Sequence, residues 1–169
     1  VYSPIDYSSV DLHFKWMKDY GIDGVFMQRF VSEFRSPKGK NHFNKVLENA
    51  LVAANKYQRA ICIMYDLSGS NSDDMDLVIE DWKELQDLFN LFDNQLNPTY
   101  LRHNKQPMVA IWGVGFNDGR KYDISDTQYL VSSLKNDSNS VSIMLGVPYY
   151  WREQKNDTDK SPDLHPLLQ

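Results

Sequence analysis

Apolar and polar positions alternate along the chain with two different periods, and the switches between them mark the elements. Val10, Phe14, Met17 and Gly21 recur at helical spacing with Lys15, Lys18 and Asp19 on the other side. That pattern predicts a surface helix, capped at its start by Ser8, Ser9 or Asp11 and closed by Gly21. The run Gly24-Val25-Phe26-Met27 predicts a buried strand ending in Gln28-Arg29-Phe30. Phe43, Val46, Leu47, Ala50, Leu51 and Ala54 return to the helical rhythm, and Ala60 to Met64 reads as a second strand ending at Tyr65-Asp66-Leu67-Ser68-Gly69. A polar loop follows. Val78, Trp82, Leu85, Phe89 and Phe92 then predict a helix over 76–94, stopped by Asn97-Pro98.

The stretch Pro107 to Phe116 begins as an unbroken apolar run and breaks into Trp112-Gly113-Val114-Gly115-Phe116. Such a run suits a strand covered on both faces, and its glycine-rich end suits a turn or a close approach by another molecule. Ser125-Asp126-Thr127-Gln128 reads as a capping box ahead of a fourth helix carrying Tyr129, Leu130, Ser133 and Leu134. Val141 to Val147 is a last strand, ending at Pro148-Tyr149-Tyr150-Trp151-Arg152.

The order is therefore αβαβαβαβ, with four strands separated by crossover helices. The fold class expected is α/β with a parallel sheet. Between an open doubly wound sheet and a (β/α)8 barrel, the barrel is favoured, because every strand ends in polar and aromatic residues, as when one site is built from several strand ends. A dinucleotide-binding fold, the basis of a cofactor-dependent enzyme, would need a third glycine after Gly113-Val114-Gly115. A complete barrel takes about 250 residues, so the chain is expected to be one segment, 1–169, of a larger (β/α)8 domain.

Composition narrows the partners. A formal charge of -5 and a pI near 5.3, with no basic run, argue against nucleic acid or an acidic membrane surface. No stretch approaches the ~20 apolar residues of a membrane span. A single cysteine, Cys62, rules out an internal disulfide and reads as a buried thiol. The chain starts at Val1 and stops in Leu164-His165-Pro166-Leu167-Leu168-Gln169, so both ends are expected to be cut from a longer protein.

The strand ends supply the candidate chemistry: Gln28 and Arg29, Tyr65 and Asp66, Trp112 and Phe116, Trp151 and Arg152, with Tyr149 and Tyr150 beside them. Aromatic faces beside hydrogen-bonding groups suit a pyranose, whose C–H faces stack while its hydroxyls need partners. Each aromatic taken alone reads first as core packing, a reading that weakens for the set because four independent strands share the pattern. Asp66 is the leading polar candidate, either holding hydroxyls or acting as an acid or base, and the competing expectation is a structural ion pair with Arg29. No pair of carboxylates stands out for glycoside cleavage, Glu33 and Glu153 being minor candidates. His13, His42, His103 and His165 are scattered without metal-ligand spacing, and Asp73, Asp74 and Asp76 read as a solvated, helix-capping loop. No metal and no cofactor is expected. Asn136-Asp137-Ser138 and Asn156-Asp157-Thr158 are glycosylation sequons.

Several blocks together carry a family resemblance: His13 to Met17, Tyr20 to Phe30, Tyr65 to Gly69, Asp81-Trp82, Pro107 to Phe116, and Gly146-Val147-Pro148 with Trp151-Arg152. They resemble glycoside hydrolase family 99, the endo-α-mannosidases and endo-α-mannanases. The resemblance implies a (β/α)8 barrel, retaining endo-hydrolysis of α-mannosides, a carbohydrate partner, and a secreted, periplasmic or cell-surface location. It implies a substrate-assisted mechanism in which the sugar's 2-hydroxyl attacks, served by two glutamates of a Trp-Asn-Glu type motif. That motif has no match here, so no catalytic residue is carried over. The chain would span roughly the second to fifth strands, be inactive alone, and be prone to self-association through open sheet edges. A non-catalytic carbohydrate-binding or scaffolding protein on the same barrel is the alternative.

Overall fold

A computed structural model describes residues 3–136 and 141–168. Helix α1 spans Tyr7–Asp19 and buries Val10 and Phe14. It begins after Asp6, earlier than the serines predicted to cap it, and the chain leaves it through Gly21 at φ 71°. Strand β1 is Gly24–Phe30, followed by a 3-10 turn over Val31–Arg35. Helix α2 runs Pro37–Tyr57, six residues earlier than its apolar rhythm begins. The Ser36 hydroxyl accepts from the Gly39 N–H, and Pro37 occupies the first turn, where its missing N–H costs nothing.

Strand β2 is Ala60–Asp66, helix α3 Asp74–Phe89. The latter ends at Asn90 in the left-handed conformation, short of the predicted stop at Asn97-Pro98. Strand β3, Arg102–His103, was not expected. It pairs antiparallel with the start of β4, Gln106–Trp112, through a two-residue turn, Asn104-Lys105, in which both residues take positive φ. Such a turn matches the twist of the strands it joins. Helix α4, Ile124–Lys135, does begin with a capping box, but the partners are Asp123 and Asp126: each carboxylate accepts the other's backbone N–H, at 3.1 and 2.9 Å. Strand β5, Ser142–Gly146, and the single turn α5, Leu164–Leu167, complete the described order.

The sheet is parallel apart from β3, in the spatial order β1-β2-β4-β5, so strands adjacent in sequence are adjacent in space. No order reversal creates a switch point of the doubly wound kind. Nor is the sheet closed: among the described residues β1 pairs only with β2, and β5 only with β4.

Pleating sorts the strands into two faces. Val25, Met27, Ile61, Ile63, Tyr65, Val109, Ile111, Ile143 and Leu145 join Val10, Phe14, Leu47, Ala54, Val78, Trp82, Leu85, Leu130 and Leu134 of the helices in one hydrophobic core. The opposite face carries no described helix. Three rows cross it in register: Phe26-Cys62-Met108-Ser142, Gln28-Met64-Ala110-Met144 and Phe30-Asp66-Trp112-Gly146. The last row lies at the C-terminal ends of the strands. Phe26, Phe30, Trp112 and Met144 on this face are 39–48% exposed.

Candidate functional site

The row Phe30-Asp66-Trp112-Gly146 and the loops after β2 and β4 form the candidate site. Trp112 packs against β5: a Cβ added to Gly146 would overlap its Cε3, Cζ3 and Cδ2 atoms. The missing side chain at Gly146 makes room for the indole, and 42% of Trp112 stays exposed. Phe116 stands beside it, ring centroids 5.9 Å apart and planes tilted by 50°. The segment holding Phe116 is itself tied down, by Asn117 N–H donating to Asp157 O at 2.6 Å and Asp159 N–H to Gly115 O at 2.8 Å.

Asp66 is the register partner of Trp112 and points to the same face. One carboxylate oxygen accepts from Gln28 Nε2, and the other accepts the Ser68 N–H at 2.8 Å. The Gln28 amide is thus committed to the carboxylate from the adjacent strand, and the Ser68 bond closes a local turn that fixes the carboxylate's direction. Asp66 is 4% exposed, so its carboxylate is sunk between Gln28 and the Ser68 turn and only its rim can meet a further donor.

Arg120 and Tyr122, which the strand-end reading passed over, complete the wall. The Arg120 guanidinium lies 4.6 Å from the Phe116 ring centroid, grips Asp118 through Nε and Nη2 at 2.8 and 3.1 Å, and donates through Nη1 to the Tyr122 hydroxyl. That hydroxyl donates to Gly113 O at 2.8 Å. Gly113 is held at φ 111°, and a Cβ there would strike Arg120 Nη1 and the Tyr122 hydroxyl, so glycine is required. Burial pushes the Tyr122 phenol above its ordinary pKa; the Arg120 hydrogen bond and charge oppose the rise, and the Asp118 and then the Asp66 charge add to it, so the phenol stays protonated. A hollow of about 330 Å³ opens alongside, between Ser68-Gly69-Ser70 and Asp118 to Tyr122.

Comparison with protein-family models, with curated proteins and with solved structures finds no match to this chain.

Of the eight strand-end candidates, Gln28, Asp66, Trp112 and Phe116 come together. Arg29 and Tyr65 lie one residue out of phase with them and face the helices. Arg29 is 2% exposed, gripping Asp81 of α3 at 3.1 and 2.7 Å and donating to Asn44 of α2 at 2.8 Å, with its guanidinium 4.9 Å from the Phe34 ring centroid. The Tyr65 hydroxyl donates to the same Asp81 at 2.8 Å. Burial, then the Asp81 charge, raises the Tyr65 pKa well above the ordinary tyrosine value. The ion-pair partner of Arg29 is thus Asp81, and Asp66 stands on the other face of the sheet.

Trp151 and Arg152 sit elsewhere. Trp151 meets His165 edge-on at 6.1 Å and lines a groove with Val131, Ile143, Leu145 and Val147 on the helix side of β5; Arg152 lies over its ring at 4.5 Å. A turn closed by Trp151 N–H donating to Pro148 O at 3.2 Å carries the chain to that side. Glu33 borders a separate groove with Phe30, Lys38 and His42, and Glu153 is exposed.

Among the described residues no cluster of three or more His, Cys, Asp or Glu could hold a metal. The acidic loop has other work: Asp74 pairs with Arg35 and accepts the Asn71 N–H at 2.8 Å, and Asp76 accepts from Tyr129 at 2.7 Å. No described helix is long and apolar enough to cross a membrane. Of the sequons, Asp137 and Ser138 lie outside the described residues, and in the second Asn156 is exposed while Thr158 is buried.

Proposed function

We propose that this chain is the saccharide-holding part of a family-99-like (β/α)8 glycoside hydrolase acting on α-mannosides, contributing four parallel strands and no cleaving groups of its own. The observation that carries the saccharide reading is the Trp112 indole, packed over Gly146 and 42% exposed, beside an Asp66 carboxylate prefixed by Gln28 and Ser68. A pyranose stacked on the indole presents its rim hydroxyls to that carboxylate. Sequential strand order, helices on one face and an uncovered second face support the barrel part of the reading. The resemblance to family 99 carries the α-mannoside specificity and the export of the protein from the cytoplasm. Open edges on β1 and β5 make self-association part of the same reading.

Among the described open-face residues Asp66 is the one carboxylate, and it is held by two donors. That observation favours a second reading, in which the whole protein binds carbohydrate without cleaving it. The test is a titration of tryptophan fluorescence with α-mannan oligosaccharides, using α-glucan oligosaccharides as the control. Saturable quenching by the mannosides that disappears in Trp112→Ala, with no sugar released by the chain alone, is the expected result. No quenching at millimolar ligand sinks the saccharide reading, and turnover by this chain sinks the division between holding and cutting. In a full-length parent, turnover separates the hydrolase from the binding protein.

A further inference from the structure

Two loops of the central strands face each other across a hollow that the Trp112 surface does not use. One follows β2 and turns at Gly69, φ 74°; the other follows β4 and turns at Gly119, φ 82°. A bridge between Asn71 and Lys121 fastens the loops together, and the Ser72 hydroxyl lies within 3.3 Å of Lys121 O and 2.8 Å of the Asp126 carboxylate. The space between the loops is about 330 Å³, at the lower end of the ~300–1,000 Å³ range of ligand pockets. It sits over β2 and β4, so it owes nothing to what lies against β1 or β5.

The lining has donors to spare and few acceptors left. The one carboxylate among its lining residues, Asp118, is gripped by Arg120 at both oxygens, 2.8 and 3.1 Å away. Gly69 O accepts from Arg35 at 3.2 Å, and the Tyr122 hydroxyl accepts from Arg120 and donates to Gly113 O. Two groups remain. The Lys121 ammonium pairs with no carboxylate among the described residues, so with Arg120 and Asp118 cancelling, the lining keeps one positive charge. Ser70 also lines the hollow; it is 3% exposed, and its hydroxyl has no hydrogen-bond partner. A buried hydroxyl left without a partner costs free energy that a ligand acceptor would recover.

We propose that this hollow receives an acidic saccharide unit, whose phosphate or carboxylate group is held by the Lys121 ammonium and the Ser70 hydroxyl while the neighbouring unit stacks on Trp112. The saccharide part deepens the reading above and rests on it; the anion part rests on the hollow alone. Ser68 and Tyr122 join the two places: both line the hollow, the Ser68 N–H holds Asp66, and the Tyr122 phenol feels the Asp66 charge. Asp66 itself offers an incoming anion little opposition, being 4% exposed and turned to Gln28 and Ser68. An oxyanion brings acceptors alone, which matches the unspent donors, and its hydrogen bonds to an ammonium are roughly twice as strong as those of a neutral hydroxyl.

The experiment is an NMR titration of the 169-residue chain with mannose 6-phosphate, glucuronate, mannose and inorganic phosphate, following the Ser70, Gly119 and Lys121 amides. It is repeated on Lys121→Gln, Ser70→Ala and Trp112→Ala. Lys121 is exposed, and Ser70→Ala removes a hydroxyl that bonds nothing, so both variants keep the urea midpoint of the unaltered chain. The expected result is that both acidic sugars bind at least about tenfold more tightly than mannose, and that this advantage shrinks with added salt. Lys121→Gln and Ser70→Ala should each lose most of it, whereas Trp112→Ala should weaken all the sugars and keep it. Equal affinity for mannose and mannose 6-phosphate, or an advantage that survives Lys121→Gln, overturns the proposal. Inorganic phosphate binding as tightly as mannose 6-phosphate overturns its saccharide part. Failure here is distinct from failure of the Trp112 reading: fluorescence quenching by neutral mannosides without any acid preference removes the hollow and keeps the indole platform, and acid preference without such quenching does the reverse.

Discussion

Asp74 shows how a buried acid gains its charge. Burial works against ionisation, yet hydrogen bonds from Arg35 and the Asn71 N–H, with the guanidinium charge behind them, outweigh it and hold the carboxyl below the usual 3.8. A carboxyl whose pKa is depressed by folding adds stability that is complete above its unfolded pKa and is lost as the pH falls through its folded one. Asp74→Asn should therefore lower the denaturation midpoint at pH 7, and the gap from the unaltered chain should shrink as the pH drops below about 4, read by urea unfolding at several pH values. A gap independent of pH would mean that the Arg35 pair contributes nothing. At this scale part of the candidate site was legible: Asp66, Gln28 and Trp112 were marked by the polar and aromatic residues at strand ends, and the structure brings them onto one face of the sheet. Arg120 and Tyr122 were missed because they lie in a loop after Gly119. Their signal was chemical, an arginine between aromatics with an aspartate two residues before it.

Asp81 ties elements together. One carboxylate receives Arg29 from β1 and Tyr65 from β2 while riding on α3, and Arg29 reaches on to Asn44 of α2. Removing it strands a buried guanidinium, so Asp81→Ala should cost about 3–5 kcal/mol, measured by chemical denaturation, and Arg29→Met in the same background should recover part of the loss. The helix rhythms and the four long strands were readable because amphipathic periods survive in the sequence. Strand phase was not readable. Ile61 to Met64 is apolar on both faces, so nothing local says whether odd or even residues look toward the helices. Arg29 and Tyr65 were therefore grouped with neighbours that point the other way. Helix ends slipped for a related reason: Ser36-Pro37 begins α2 before any apolar residue marks it, and the left-handed Asn90 stops α3 where the apolar rhythm continues.

Across the whole molecule, the sheet divides the chain into a packed side and an unpacked one. Cys62 stands on the unpacked face, yet Met108 and its other neighbours leave it 1% exposed, and burial pushes its thiol up to about 12. A thiol reagent at pH 8 should label it only as the far-UV signal is lost with rising urea, with native labelling at least about a hundredfold slower than in the unfolded chain. Rapid labelling of the folded protein would show that the open face breathes. Parallel order was legible from the alternation of elements. Whether the sheet closes was not, since that depends on what lies against β1 and β5, and among the described residues it is open.

The Asn104-Lys105 turn offers a practical handle. It caps the hairpin at the end of β4 remote from Trp112, with a whole strand, roughly 20 Å at about 3.3 Å per residue, between the two. Both turn residues are exposed, and no side-chain bond of the candidate site reaches them. Biotin or a fluorophore attached there would tether the molecule to a chip with its aromatic rim facing the solution, turning the fold into a ready-oriented sensor surface.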